Sequence, residues 1–164
     1  VREEQPDITI ALVHWGSEYN DEISDTQKKI RKQLQEGGVD IIVGTHPHLV
    51  QAIDFNPDEG TLVAYSLGDL FGDGTQAGSA YSLILDLEIT KNNNTGRTQL
   101  TGYSYTPIFT VSEGEGLKIV RLGQAIQTYE QNNIDAVSED TYDTMIYDFT
   151  RVSERVASQM EEEE

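Results

Sequence analysis

The stretch that decides the fold is Asp7-Ile8-Thr9-Ile10-Ala11-Leu12-Val13, which stops at His14-Trp15-Gly16. This run is apolar, β-branched and of strand length, so it predicts a buried β-strand. A second run of the same kind is Val39-Asp40-Ile41-Ile42-Val43, followed by Gly44-Thr45-His46-Pro47-His48. This second run also predicts a buried strand, and both runs end in a segment that contains glycine and histidine.

The segment between these two strands has the pattern of a surface helix. Ile30 and Leu34 lie four positions apart among lysines and glutamines, Ser24 or Asp25 can cap the start, and Gly37-Gly38 can end it. The prediction is a helix over residues 25–36. Strand, helix and strand in this order indicate a βαβ unit, and the first half of the chain therefore reads as an α/β layer.

The rest of the chain changes character after residue 78. A short strand is predicted at 61–66, then two antiparallel strands at 80–90 and 99–109 around the turn Asn94-Thr95-Gly96. A turn at 112–116 precedes a short apolar segment at 117–120, and helices are predicted over 122–131 and 138–160. The fold class is α/β (α+β), with one domain over residues 1–164 and a disordered acidic tail at 161–164.

Charge excludes two classes of partner. The chain has 29 Asp and Glu against 11 Lys and Arg, a formal net charge of −18. Nucleic acids and anionic membrane surfaces attract cationic proteins, so neither is an expected partner. A polyanion is also disfavoured unless a basic patch or a metal reverses the local sign. The chain has no cysteine, so it has no disulfide, thiolate zinc site or thiol nucleophile.

The three histidines of the chain all follow predicted strands. Ligands bind at the carboxyl ends of parallel strands, where His14, His46 and His48 would meet as metal ligands or proton-transfer groups. Pro47 fixes its own φ and favours an extended His46. The alternative is that each ring only makes loop hydrogen bonds. Glu18 is either a ligand or base, or the acidic start of a helix, and Trp15 is either core or a substrate wall.

Three strings in this order are specific as a set: His14-Trp15-Gly16-Ser17-Glu18-Tyr19, Gly44-Thr45-His46-Pro47-His48 and Tyr65-Ser66-Leu67-Gly68-Asp69. With Gln27 and Gly38-Val39-Asp40 between them, they resemble the CapA-type bacterial capsule synthesis family, which makes poly-γ-glutamate and is similar to calcineurin-like metallophosphoesterases. The resemblance is dense from Asp7 to Phe71 and reduces to topology afterwards.

The resemblance implies a set of site residues. His14, His46 and His48 would hold one or two divalent metals such as manganese, and His14, Glu18 and His48 would be catalytic. Trp15, Ser66 and Asp69 would contact substrate. Asp69 and Leu70 stand where the family usually has Asn and Phe, so a carboxylate replaces an amide at position 69.

The family's opening motifs, a strand ending in Gly-Asp and an Asn-bearing turn, have no counterpart in this sequence. The expectation is therefore the C-terminal half of a metallophosphoesterase sandwich, with further ligands supplied from outside the chain. The implied function is synthesis or export of a capsule polymer at the outer face of the cell membrane, with the polymer or synthase subunits as partners and the anchor outside this chain. The alternatives are a metal-independent scaffold of the synthase complex and a phosphoesterase acting on a small substrate.

Three structural expectations follow. The histidine nitrogens should lie about 4–8 Å apart, as ligands of shared or adjacent metals would. The chain alone should bind metal weakly and be inactive, because carboxylate ligands are missing. An apolar sheet face should also be open, and either a second copy or the helix at 138–160 would cover it, through Tyr142, Met145, Phe149 and Val152. The acidic charge opposes self-association and favours the helix.

Overall fold

A computed structural model describes residues 4–72, 74–112, 116–132 and 137–157. In chain order the elements are β1 (Ile10–His14), α1 (Asp25–Glu36), β2 (Ile41–Thr45), β3 (Ile53–Asn56), β4 (Thr61–Ala64), β5 (Tyr81–Lys91), β6 (Thr98–Val111), β7 (Lys118–Arg121), α2 (Leu122–Asn132) and α3 (Glu139–Ala157). The predicted α+β class is confirmed. Residues 161–164, the centre of the predicted turn at 112–116 and the last three residues of the predicted 138–160 helix lie outside the described residues.

The first sheet contains the predicted βαβ unit. Its strand order is β1-β2-β4-β3, with β1, β2 and β4 parallel and β3 antiparallel to β4. Helix α1 has the predicted bounds because Ser24 forms a capping box with Gln27, in which each side chain accepts a hydrogen bond from the other's backbone N–H. Strand β3 was not predicted, and it forms a short hairpin with β4.

The second sheet is antiparallel in the order β5-β6-β7. Strands β5 and β6 confirm the two predicted antiparallel strands, and β7 occupies the predicted short apolar segment. Helices α2 and α3 follow and pack against each other and against this sheet. Among the residues described, no helix is both long and apolar enough to span a bilayer.

Two apolar layers lie on opposite faces of the first sheet. Ile42, Val63 and Tyr65 face α1, together with Trp15 and Ile23. The other face of the first sheet packs on the second sheet and on helices α2 and α3, in a cluster that includes Ile41, Ile53, Leu62, Tyr81, Leu100, Phe109, Leu122, Met145 and Val152. The order of layers is therefore helix, sheet, sheet and helices, with β2 and β4 buried on both faces.

Strand β1 is not covered in the same way. Ile10 is 50% exposed and Leu12 is 80% exposed, on the face that points toward the second sheet. These exposed side chains confirm the expectation that this chain has an open apolar face.

The prediction that the C-terminal helix covers this face is wrong. Helix α3 packs on α2 and β6 through Met145 and Val152, while Phe149 stays 46% exposed. The reason is that the second sheet and α2 offer the apolar stripe of α3 a larger surface than edge strand β1 does. The open face of β1 keeps its exposed side chains.

Candidate metal centre

The carboxyl ends of β1 and β2 bring the three histidines to one edge of the first sheet. His14 is the last residue of β1 and pairs in register with Thr45, the last residue of β2. The ring of His46 lies 4.3 Å from that of His14 and 6.1 Å from that of His48, measured between centroids. The parallel pairing of β1 with β2 is what places His14 beside the segment that carries the other two.

Glu18 completes a compact donor set. One ligand atom each of Glu18, His46 and His48 lies within 4.8 Å of the others. Glu18 Oε1 lies 4.0 Å from His48 Nε2. His14 joins this group through its ring contact with His46, and its Nδ1 also lies 3.5 Å from the Thr45 hydroxyl. Glu18 is 60% exposed at its side chain, so the set opens to solvent.

The backbone of the His-Pro-His segment is strained. His46 has φ +99° and His48 has φ +60°, a region that non-glycine residues seldom adopt. The prediction of an extended His46 is therefore wrong. Pro47 is buried, and its carbonyl accepts a hydrogen bond of 2.8 Å from the Tyr19 N–H, so packing of this turn overrides the local preference. Such strain is typical of functional sites, where the surroundings must hold it.

The carboxylate of Asp69 contacts the ring of His48. Its carboxylate oxygens are 2.8 and 2.9 Å from His48 Nδ1. This contact favours the tautomer with a proton on Nδ1, which leaves the Nε2 lone pair directed to the Glu18 side. Carboxylate partners of this kind orient metal-binding histidines. Asp69 was predicted to contact substrate, and that role stays a prediction beside its observed contact with His48.

Tyr19 is a site residue that the sequence did not indicate. Its ring stacks on His48 with 5.2 Å between centroids and 25° between planes. The ring therefore covers the face of the imidazole that Asp69 orients. The only signal in the sequence was the position of Tyr19 next to Glu18 in His14-Trp15-Gly16-Ser17-Glu18-Tyr19. The φ of +55° at Tyr19 cannot be deduced from residue type.

A buried amide pair, also not predicted, fixes the loop that carries Glu18 and Tyr19. Gln27 Nε2 donates to Gln51 Oε1 at 2.9 Å, and Gln51 Nε2 donates to the carbonyls of Asn20 and Glu22 at 3.1 Å. Both glutamines are at most 1% exposed. Buried amides are costly unless they are hydrogen-bonded, so this pair holds the loop in one position.

Two predicted substrate contacts, Trp15 and Ser66, are internal. Trp15 is 5% exposed and its indole N–H donates to the Tyr65 carbonyl at 2.8 Å. A Cβ on Gly44 would collide with the indole, which explains the glycine there. Ser66 is 1% exposed and its hydroxyl accepts from the Gly68 N–H. The structure favours the core alternative for Trp15, and burial leaves almost none of Ser66 accessible to a substrate.

The donor set fits a divalent metal. Two imidazoles and a carboxylate are ligands that Mn²⁺ and Zn²⁺ accept, and the solvent-facing side leaves room for further ligands. His46, His48 and Glu18 would hold the ion, with His14 adjacent. Because three donors do not fill a coordination sphere, the expected affinity of this chain alone is low.

The comparisons with known proteins agree with the resemblance that the motifs in the first half of the chain indicate. The profile of the family described as "Bacterial capsule synthesis protein PGA_cap" matches residues 1–73. Over these residues the chain is similar to the bacterial capsule synthesis family. This part includes every residue of the donor set and Asp69.

Two relatives are similar to the chain. One is "PGA biosynthesis protein CapA" of Bacillus subtilis (strain 168), 35% identical over 95 residues, which are 58% of this chain and 24% of the relative. The other is "Capsule biosynthesis protein CapA" of Bacillus anthracis, 37% identical over 67 residues, which are 41% of this chain and 16% of the relative. The chain thus spans a quarter or less of the length of these relatives.

Proposed function

We propose that this chain supplies the histidine part of a divalent-metal centre in a protein that makes or exports an acidic capsule polymer of the poly-γ-glutamate type. The observation that carries the metal site is the approach of Glu18, His46 and His48 donor atoms to within 4.8 Å, with Asp69 on the far nitrogen of His48. The names of the two relatives support the capsule role.

The chain's own residues have separate tasks in this proposal. His46 and His48 bind the ion through neutral imidazole, Glu18 binds it or accepts a proton at its carboxylate, and Asp69 holds the proton on His48 Nδ1. When bound, a divalent metal polarises an acyl or phosphoryl oxygen and lowers the pKa of a bound water. Further carboxylate ligands come from outside this chain, at the outer face of the cell membrane.

Paramagnetic NMR tests the site directly, because the chain has only three histidines. Substoichiometric Mn²⁺ should broaden the ring signals of His46 and His48 most strongly, and that of His14 beside them. His48→Ala should abolish the effect on His46. We expect the dissociation constant to lie above the micromolar range. If the remaining histidine signals broaden unchanged in His46→Ala and His48→Ala, the metal-independent scaffold is favoured. The same holds if millimolar Mn²⁺ broadens no histidine signal of the unaltered chain.

Asp69 offers a matched pair of variants. Removing a carboxylate that orients a metal-binding histidine costs about 10- to 100-fold in affinity. Asp69→Ala should therefore weaken Mn²⁺ binding at least tenfold, whereas Asp69→Asn keeps an acceptor and should lose less. Asp58→Ala, at an exposed turn, is the control and should change nothing. Equal affinities for Asp69→Ala and the control would remove Asp69 from the site.

The phosphoesterase alternative differs in substrate. A longer protein that contains this chain should be assayed with manganese against a small phosphoester and against poly-γ-glutamate. Turnover of the phosphoester alone would replace the capsule proposal with a phosphoesterase activity.

A further inference from the structure

Helix α1 concentrates positive charge in a strongly acidic chain. Lys28, Lys29, Arg31 and Lys32 are four of the 11 basic residues of the chain, within five consecutive positions. Arg31 points inward, where it pairs with Asp54 at 2.5 Å and donates to the Tyr65 hydroxyl at 3.1 Å. The other three residues are exposed, and we call them the lysine face of α1.

The lysine face is not explained by the stability of the helix. Lys28 and Lys32 are four residues apart, and like charges at this spacing destabilise a helix. Lys28 and Lys29 also lie in the first half of α1, on the side of the helix where its dipole disfavours positive charge, and the last turn has no basic residue. Within the described ranges, none of the three ammonium groups has an ion-pair partner.

The lysine face borders an open groove of 530 Å³. The groove is lined by Lys28, Lys29, Arg31, Lys32 and Gln35. All of its lining residues are basic or amide, so positive charge is concentrated on this surface although the net charge of the chain is −18. A concave surface of one charge sign raises the local concentration of oppositely charged ligands.

Hydrogen bonds connect the first turn of α1 to the loop of the candidate metal centre. Gln27, in the first turn of α1, donates to Gln51, which in turn holds the loop that carries Glu18 and Tyr19. Helix α1 runs from the end of β1 to the start of β2, so it leads away from the edge of the sheet where the histidines lie. A linear ligand that reaches the donor set could therefore continue along the lysine face.

We propose that the lysine face of α1 binds the acidic capsule polymer and guides it to the metal centre; this inference rests on the proposed function. Lys28 and Lys32 are separated by about 6 Å along the helix axis. An extended α-peptide repeats at about 3.5 Å, and the two additional backbone carbons of a γ-linked glutamate bring its carboxylate spacing to about 6 Å. Exposed ammonium groups on flexible side chains suit a polymer of repeated, hydrated carboxylates better than they suit a single buried anion.

The test is binding of fluorescein-labelled poly-γ-glutamate to this chain, measured by fluorescence anisotropy at low salt with EDTA present. EDTA makes the result independent of the metal centre. The variant is Lys28→Gln, Lys29→Gln and Lys32→Gln together. The matched control is Arg97→Gln, Lys118→Gln and Arg121→Gln, which changes the net charge by the same amount on other surfaces. Circular dichroism melting confirms that both fold.

Three exposed ion pairs at about 0.5 kcal/mol each correspond to about tenfold in affinity, so the α1 variant should bind about tenfold more weakly and the control within twofold. Equal loss in both variants, no loss in the α1 variant, or no binding by the unaltered chain would overturn the proposal. Tighter binding of a DNA oligonucleotide of equal charge would overturn it too, because the surface would then be a nucleic-acid site. None of these outcomes affects the Mn²⁺ test of the metal centre.

Discussion

His46 combines a chemical role with a conformational cost. Its φ of +99° lies in the left-handed region, where a Cβ costs about 1–2 kcal/mol. The residue keeps this conformation because Pro47 is buried and its carbonyl is bound by Tyr19. The strain therefore places the imidazole between His14 and His48 at the expense of stability.

Two variants separate the strain from the loss of the ring. His46→Ala and His46→Gly both remove the imidazole, but only glycine relieves the backbone. We expect His46→Gly to be more stable than His46→Ala by about 0.5–1 kcal/mol, after the entropy cost of glycine in the unfolded chain. Urea unfolding followed by circular dichroism measures the difference. Equal stabilities, or a more stable alanine variant, would show that position 46 is not strained.

At this scale the sequence predicted which residues meet but not how they are held. The positions of His14, His46 and His48 after strands were sufficient to predict one shared edge. The φ of His46 was not predictable, because the rule for residues before proline points the other way and tertiary packing overrides it. The contact of Asp69 with His48 joins segments 21 residues apart and depends on the path of the chain after β4.

Helix α3 carries a buried acid that opposes its own packing. Asp148 is 3% exposed, and burial raises the pKa of its carboxyl to about 6 in spite of the nearby Arg155 and Arg151. The folded state therefore binds this proton more tightly than the unfolded state does. Stability falls as the pH rises from about 4 to about 6, and the full penalty is present above that range.

Asp148→Asn should stabilise the protein at alkaline pH. The raised pKa of Asp148 corresponds to an increase of up to about 3 kcal/mol in the free energy of unfolding of the variant at pH 8. At pH 5 this increase should be about 1 kcal/mol smaller. Chemical unfolding at the two pH values measures both numbers. Asp143→Asn, on the exposed side of the same helix, is the control and should show neither effect. A destabilised Asp148→Asn variant would mean that the charged form is favoured in the folded protein.

Elements were predictable where periodicity and end signals agreed. The bounds of α1 follow from Ser24, Gln27 and Gly37, which act within the helix itself. Strand β3 was not predicted, although Asn56-Pro57-Asp58-Glu59-Gly60 between two short apolar runs is a hairpin signal. The packing of α3 was also predicted wrongly, because an apolar stripe indicates that a helix is covered but not which surface covers it.

At the scale of the whole molecule, one side of the two-sheet arrangement is open. Strand β1 is the edge of the first sheet and β5 is the edge of the second. Asp7, just before β1, pairs at 3.0 Å with Lys91 at the end of β5, so the two edges lie on the same side. Ile10 and Leu12 stand exposed there, and unpaired strand edges with apolar side chains tend to pair with other chains.

We expect the isolated chain to associate through β1 when its charge is screened. The net charge of −18 keeps copies apart at low salt, and screening at 0.5 M NaCl shortens the range of this repulsion to a few ångströms. Sedimentation velocity should show a monomer at 50 mM NaCl and a dimer at 500 mM. Leu12→Lys should remain monomeric, whereas Tyr147→Lys, on the exposed face of α3, should behave like the unaltered chain. A monomer at both salt concentrations would mean that β1 does not self-pair.

The part of the chain that the family profile matches and the part after it have different tasks in the fold. The family match covers the donor set, Asp69 and the buried glutamine pair, where a change of one atom alters chemistry. The layers after it, β5 to α3, mainly supply apolar cover for Ile41, Ile53 and Leu62. Cover tolerates substitutions that keep volume and polarity, so conservative replacements in these layers should disturb the protein less than replacements in the donor set.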